Sequence, residues 1–135
     1  MIDARLATLR ALVVEDNDFM RDLIVRLMRQ IGFGELREAV DGADALRTVM
    51  QFSPHLILCD INMKPMNGIE FVTQLQRAGY TGANKIPTIF LTSHAEEEYV
   101  RQARTLGVDG FLVKPVSRQT LIVRVLAVLD AARPT

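Results

Sequence analysis

Asp60 closes the apolar run Leu56-Ile57-Leu58-Cys59, and two more such runs end on groups that can do chemistry. Ala11-Leu12-Val13-Val14 leads into Glu15-Asp16, and Phe111-Leu112-Val113 leads into Lys114-Pro115. A fourth, Thr88-Ile89-Phe90-Leu91, ends on Thr92. If these runs lie parallel in one sheet, three carboxylates, an ammonium and a hydroxyl meet along one edge. Carboxylates gathered in this way repel and raise one another's pKa unless something positive holds them. Mg²⁺ fits that need, being a hard cation bound by one or two carboxylates, waters and phosphate oxygens. Asp60 can attack phosphorus and carry the phosphoryl group as an acyl phosphate. Lys114 is one of three lysines in a chain with thirteen arginines. Its compact ammonium can neutralise phosphoryl oxygens as a point charge. Thr92 and Ser93 add hydroxyl and N–H donors near a helix start, where anions are favoured.

Each of these residues also has a plainer use. Glu15-Asp16 could serve only as negative charge ahead of a helix N-terminus. Asp60 could be a solvated strand end, and Lys114 a surface lysine before a turn proline. Ser93-His94-Ala95-Glu96 reads as a capping box, a role compatible with anion binding. The matching position of Asp60 tips the balance toward a site. His94 could act as a general base but is paired with no nucleophile by any motif. His55, just before a strand, reads as structural. Cys59 lies inside an apolar run and reads as a small buried hydrophobe.

The elements that must position this chemistry alternate five times. Strands are expected at 11–14, 36–40, 56–59, 88–91 and 111–113. Glu35, Arg37 and Glu38 interrupt the second, which suits an edge strand. Phe19, Leu23, Leu27 and Ile31, with Met20, Ile24 and Met28 beside them, form a wide apolar helical stripe that Gly32 stops. A short second helix spans 43–50 after Asp41-Gly42. Ile69, Val72 and Leu75 mark a third, ended by Gly79, and Gly107 closes a fourth. Ser117 caps a fifth, with Leu121, Val125 and Leu129 inward. The methionines fall mostly on apolar faces and belong to the core. Strict alternation predicts an α/β fold, a doubly wound parallel sheet with helices on both faces. Sites in such sheets lie beyond the carboxyl ends of strands where the order reverses, between strands one and three in the order 2-1-3-4-5.

The totals set limits. The chain has 135 residues, 49% hydrophobic, with sixteen basic against sixteen acidic residues. That is one domain with a real core. A neutral balance gives no general pull toward nucleic acid or an anionic membrane. No apolar run reaches membrane-spanning length. The start lacks the charged and apolar regions of a secretory signal. A single cysteine excludes an internal disulfide and suits a cytoplasmic location.

In order and spacing, Glu15-Asp16, Asp60, Thr92 and Lys114-Pro115 resemble the receiver domain of two-component response regulators. The likeness spans residues 9 to 131. It implies a flavodoxin-like fold, with an N-terminal extension at 1–8, a receiver domain at 9–132 and a tail at 133–135. It implies that Asp60 is phosphorylated, that Asp16 binds the metal, and that Glu15 assists, often through water. Asn62 would offer its backbone carbonyl to the metal. Lys114 would pair with the phosphoryl group, and Thr92 would hydrogen-bond it and shift on activation. Phe111 takes the aromatic switch position, and Pro115 would follow a cis bond. Two departures stand out. The family commonly has Met then Pro after its aspartate, whereas Met63-Lys64-Pro65-Met66-Asn67-Gly68 has its proline one place late. The switch aromatic is Phe rather than Tyr, so ring burial must carry any signal.

The expected function is a phosphorylatable switch. A histidine kinase or a histidine phosphotransfer protein would donate to Asp60, with Mg²⁺ as cofactor, and water would later release the phosphate. Asn62 and His94 would set the phosphate lifetime. Signal would pass to a protein target through the face of the fourth helix, fifth strand and fifth helix, where Arg101, Arg104, Arg118 and Arg124 give mixed charge. Neither nucleic acid nor membrane is an expected direct partner. A monomer or a phosphorylation-dependent dimer is expected. With no output module after the fifth helix, the chain is a stand-alone receiver or a piece of a longer regulator. One rival is a phosphorylation-independent adaptor, which loss of an acid, the aspartate or the lysine would favour. Another is a small aspartyl hydrolase, which usually places a second acid two residues on, where Asn62 stands.

Overall fold

The computed structural model describes residues 4–93 and 97–132. Five strands alternate with five helices: β1 Arg10–Val14, α1 Asp18–Ile31, β2 Glu35–Ala39, α2 Gly42–Phe52, β3 Leu56–Asp60, α3 Gly68–Arg77, β4 Thr88–Thr92, α4 Glu97–Leu106, β5 Gly110–Val113 and α5 Arg118–Ala131. The strands form one parallel sheet in the order β2-β1-β3-β4-β5, so the expected doubly wound, flavodoxin-like architecture is present. Reversal of strand order puts a crevice between the ends of β1 and β3, which pair Val14 with Cys59.

Alternation along each strand feeds two cores. Ala11, Val13, Leu56, Leu58, Ile89 and Leu91 pack with Ile24, Met28, Leu121 and Val125 of α1 and α5. Leu12, Val14, Ile57, Cys59 and Phe90 pack with Val49, Phe71, Val72 and Ala103 of α2, α3 and α4. Burial on both faces explains why β1, β3 and β4 read as unbroken apolar runs. At the edge, β2 buries fully only Ala39, so its charges are tolerated. Strand limits extend the expected ones: β1 and β5 start one residue earlier, β3 and β4 end one later, and β2 lies one residue earlier throughout.

Side chains cap the helix starts. Asn17, Asp41, Asn67 and Ser117 accept from the backbone N–H of Met20, Asp44, Glu70 and Thr120. Gly32 stops α1 in the left-handed region at φ 114°, which glycine adopts without steric cost. The capping box expected at residues 93–96 reaches beyond the described residues. The buried stripe of α1 runs through Ile24, Val25, Met28 and Ile31 rather than through Phe19. Phe19 is 78% exposed in the first turn of α1. Met50 is likewise exposed on α2. Residues 4–8 form a 3-10 turn whose Leu6 is fully buried in the α1/α5 core. His55 accepts the Arg10 backbone N–H at Nδ1, 2.9 Å away, a structural role. Among the described residues, no helix is long and apolar enough to cross a membrane.

The loop between β3 and α3 is closed by a backbone contact. Gly68 donates its N–H to the Ile61 carbonyl at 2.8 Å. A Cβ on Gly68 would lie 2.8 Å from the Asp60 carbonyl oxygen and 2.9 Å from the Phe90 ring. Gly68→Ala must therefore push α3 off the end of β3, and overpacking of this kind costs about 1–3 kcal/mol. Urea unfolding should show that loss, with the largest amide shifts at residues 60–62; a variant as stable as the parent would contradict the close fit.

Candidate functional site

Glu15 continues β1 past its last residue, with its N–H bonded to the Ala39 carbonyl at 3.1 Å. Asp60 ends β3, and Lys114 follows β5 with its N–H on the Thr92 carbonyl at 2.8 Å. Three strand ends thus deliver their side chains to one place. The Lys114 Nζ lies 3.2 Å from Glu15 Oε1 and 3.2 Å from Asp60 Oδ1. Glu15 and Asp60 are buried and Lys114 is half-buried, while Asp16 is exposed at the rim. Asp60 Oδ1 also accepts the Asn62 backbone N–H at 3.2 Å. The Asn62 side chain lies in an exposed residue just after β3.

Glu15-Asp16 is not the helix cap. Asn17 caps α1, its Oδ1 accepting the Met20 N–H at 2.8 Å. The acids ahead of it are left for the cluster. Glu15, Asp16 and Asp60 each offer an oxygen, all within 4.8 Å of one another. Three carboxylate oxygens without nitrogen or sulfur form a hard donor set, which suits Mg²⁺ rather than zinc or copper. Electrostatics point the same way. Burial, then the hydrogen bond to Asp60 and its charge, push the Glu15 carboxyl up to about 8 against the pull of Lys114. Burial works against the Lys114 charge too, but Asp60 and Glu15 more than offset it, and its pKa is raised. One ammonium is too little positive charge for this cluster, and a divalent cation would complete it.

A pH dependence follows. Folding raises the Glu15 pKa from 4.5 to about 8, so the folded chain keeps a proton that the unfolded chain has lost. That contribution is full below 4.5 and fades as pH rises toward 8. In a chelating buffer, stability should fall across this window, by at most about 1.4 kcal/mol per pH unit for one proton. Glu15→Gln should flatten the slope. Millimolar Mg²⁺ should stabilise the parent more at the alkaline end than at the acid end. Urea midpoints measured between those limits, with and without Mg²⁺, decide this; a flat metal-free profile would rule it out.

The other expected residues fall around this centre. Thr92, at the end of β4, is buried, and its Oγ1 donates to the Ser93 carbonyl at 3.1 Å. Phe111 is half-buried on β5, tilted against Phe90 with ring centroids 6.5 Å apart. The Arg104 guanidinium of α4 lies over the Phe111 ring, 5.8 Å from its centroid. The Lys114–Pro115 bond is cis, and so is Lys64–Pro65 in the loop after Asp60. Lys64 itself is exposed. His94 lies outside the described residues.

Sequence reasoning passes over Arg21. Its guanidinium reaches the Glu15 carbonyl at 2.9 Å, Asp18 at 2.7 Å and Glu38 at 3.1 Å. The signal was thin: a polar residue on the flank of an amphipathic helix, among many arginines. Met66, among the methionines expected in the core, packs there; its side chain fills the space above Gly42 and ties the loop after β3 to the start of α2.

Comparison with known proteins gives a consistent result. Residues 11–126 match the model of the response regulator receiver domain. The chemotaxis protein CheY-3 of Vibrio cholerae is 30% identical over 113 residues, 84% of this chain and 85% of that protein. The phosphate regulon transcriptional regulatory protein PhoB of Escherichia coli is 34% identical over 125 residues, 93% of this chain but 53% of PhoB. Among solved structures, Vibrio cholerae CheY4 superposes with a TM-score of 0.79 at 28% identity, over 89% of this chain and 98% of that one.

Proposed function

This chain belongs to the response regulator receiver domain family, and from that premise we propose that it is a switch set by phosphorylation of Asp60. The observation that carries the reading is the Lys114 ammonium held 3.2 Å from both Asp60 and Glu15, with Asp16 at the rim. The phosphoryl donor would be a histidine kinase or a histidine phosphotransfer protein, in keeping with the family. An Asp60 oxygen attacks the phosphorus of phosphohistidine. The P–N bond breaks, its electrons stay on the imidazole, and an acyl phosphate forms on the chain. Glu15, Asp16, Asp60 and the Asn62 carbonyl would hold Mg²⁺. When bound, it would neutralise phosphoryl oxygens during transfer.

The chain's own residues do the rest. Lys114 stands where the transferring charge develops, already oriented by Glu15, so little reorganisation is needed. The Thr92 hydroxyl can turn from the Ser93 carbonyl toward a phosphoryl oxygen. That opens space toward which the Phe111 ring can move. Hydrolysis reverses the capture: water attacks phosphorus, the bond to Asp60 breaks, and inorganic phosphate leaves. Asn62 and His94 are the residues we assign to the lifetime of the phosphate. Output goes to a protein target on the face of α4, β5 and α5, where Val113 and Val123 are exposed among arginines. The proposal places the protein in the cytoplasm, without direct contact to nucleic acid or membrane. It acts there as a monomer or as a dimer formed on phosphorylation.

Beryllofluoride, a phosphoryl mimic, tests capture and switching together. With Mg²⁺ present, backbone amide shifts should spread from the site to residues 92–106 and 110–121. A coupling of about 1–3 kcal/mol is enough for such a response. Thr92→Ala should confine the shifts to the loops around Asp16 and Asp60. Shifts so confined in the parent would mean a filled site without a switch, and no shifts at all would remove the site.

A further inference from the structure

We infer that Arg21 is a positioning residue for the metal-binding acids. This rests on the proposed Mg²⁺ site and names what holds it in shape. The Arg21 side chain is only 13% exposed. Its Nη1 donates to the Glu15 backbone carbonyl at 2.9 Å, its Nη2 to Asp18 at 2.7 Å, and its Nε to Glu38 at 3.1 Å. One planar group therefore pins the turn after β1 to α1 and to the β2 edge. Only a guanidinium presents donors in such a fixed fork.

Glu15 shows why this matters. Its N–H bonds to Ala39, its carbonyl to Arg21, one carboxylate oxygen to Lys114, and the other receives the Asn17 N–H at 3.5 Å. The backbone on both sides of the Glu15 side chain is thus fixed, and the carbonyl bond is the one that leads into Asp16. Without Arg21 that carbonyl loses its protein donor, and the peptide between the two acids gains freedom to rotate. Ligand geometry then has to be restored on each binding event. Partners that orient ligands in this way are typically worth 10–100-fold in metal affinity when removed.

The charge of Arg21 predicts the opposite outcome. Removing a cation that lies against Glu15, one of the metal-site acids, should strengthen Mg²⁺ binding. The sign of the change therefore separates positioning from simple electrostatics. Separating it from general stability requires affinity measured on folded protein. Mg²⁺ is titrated at constant ionic strength while backbone amide shifts of residues 15–18 and 60–62 are followed. Urea midpoints without metal are recorded in parallel. Arg21→Met should bind Mg²⁺ about tenfold more weakly despite the lost positive charge. Arg21→Lys keeps the charge but cannot span three acceptors, and it too should bind more weakly. Unchanged or tighter binding by either folded variant overturns the inference, whatever the urea midpoint shows. If Arg21→Met does not fold, Arg21→Lys decides alone, at equal charge. If the parent itself binds no Mg²⁺, it is the proposed site that fails, a result distinguishable from every other.

Discussion

Asp60→Asn is expected to abolish phosphoryl uptake. The parent, given phosphoramidate or acetyl phosphate with Mg²⁺, should gain one phosphoryl group by intact mass; the variant should gain none. An amide oxygen is a poor nucleophile for phosphorus, and a phosphorylated amide would not be the same product. The replacement is nearly isosteric, so Lys114 and the Asn62 N–H keep an oxygen to contact. Fold and site shape should survive while reactivity disappears. Equal labelling of the variant would place the acceptor elsewhere. Asp16, exposed at the rim, would then be the next residue to examine.

Removing the cation should have the next largest effect. Lys114→Gln is expected to slow labelling of Asp60 by about 10²–10³-fold, the usual loss when one preorganised donor to developing charge is deleted. Lys114 serves two carboxylates at equal distance, so its loss also leaves Glu15 and Asp60 buried without their shared counter-charge. A second readout follows: at alkaline pH the metal-free variant should be less stable than the parent, because the Lys114 charge that favours ionised Glu15 is gone while Asp60 remains beside it. Time courses with phosphoramidate measure the first effect and urea midpoints the second. A labelling rate within about threefold of the parent would show that Lys114 only fills space.

Much of this was legible because it depends on strand ends. β1, β3 and β4 are buried on both faces, so they appear as apolar runs, and their last residues stand out against that background. Strand order then brings Glu15, Asp60 and Lys114 together without knowledge of any side-chain conformer. What was hidden depends on packing across elements. Phe19 sits at helical spacing with Leu23 and Leu27, yet it is exposed, because periodicity gives a face but not where the facing surface ends. Leu6 lies in a stretch ahead of β1 too short to show a helical or strand period, though it is fully buried. Asn67 caps α3 through a box with Glu70, a pattern overshadowed by the displaced Pro65. Arg21 binds three acceptors on three different segments. No local pattern announces such a residue.

Glu15 and Lys114 touch although 99 positions separate them along the chain. The cluster is therefore not a property of any fragment of the sheet. While the polypeptide is being made, Asp60 and the early acids leave the ribosome well before β5. A nascent chain at that point holds Asp60 without the ammonium that lies 3.2 Å from it in the complete fold. The cluster is assembled only when the last strand has docked beside β4. On the proposed reading, incomplete copies would draw phosphoryl groups from a donor far more slowly than finished ones.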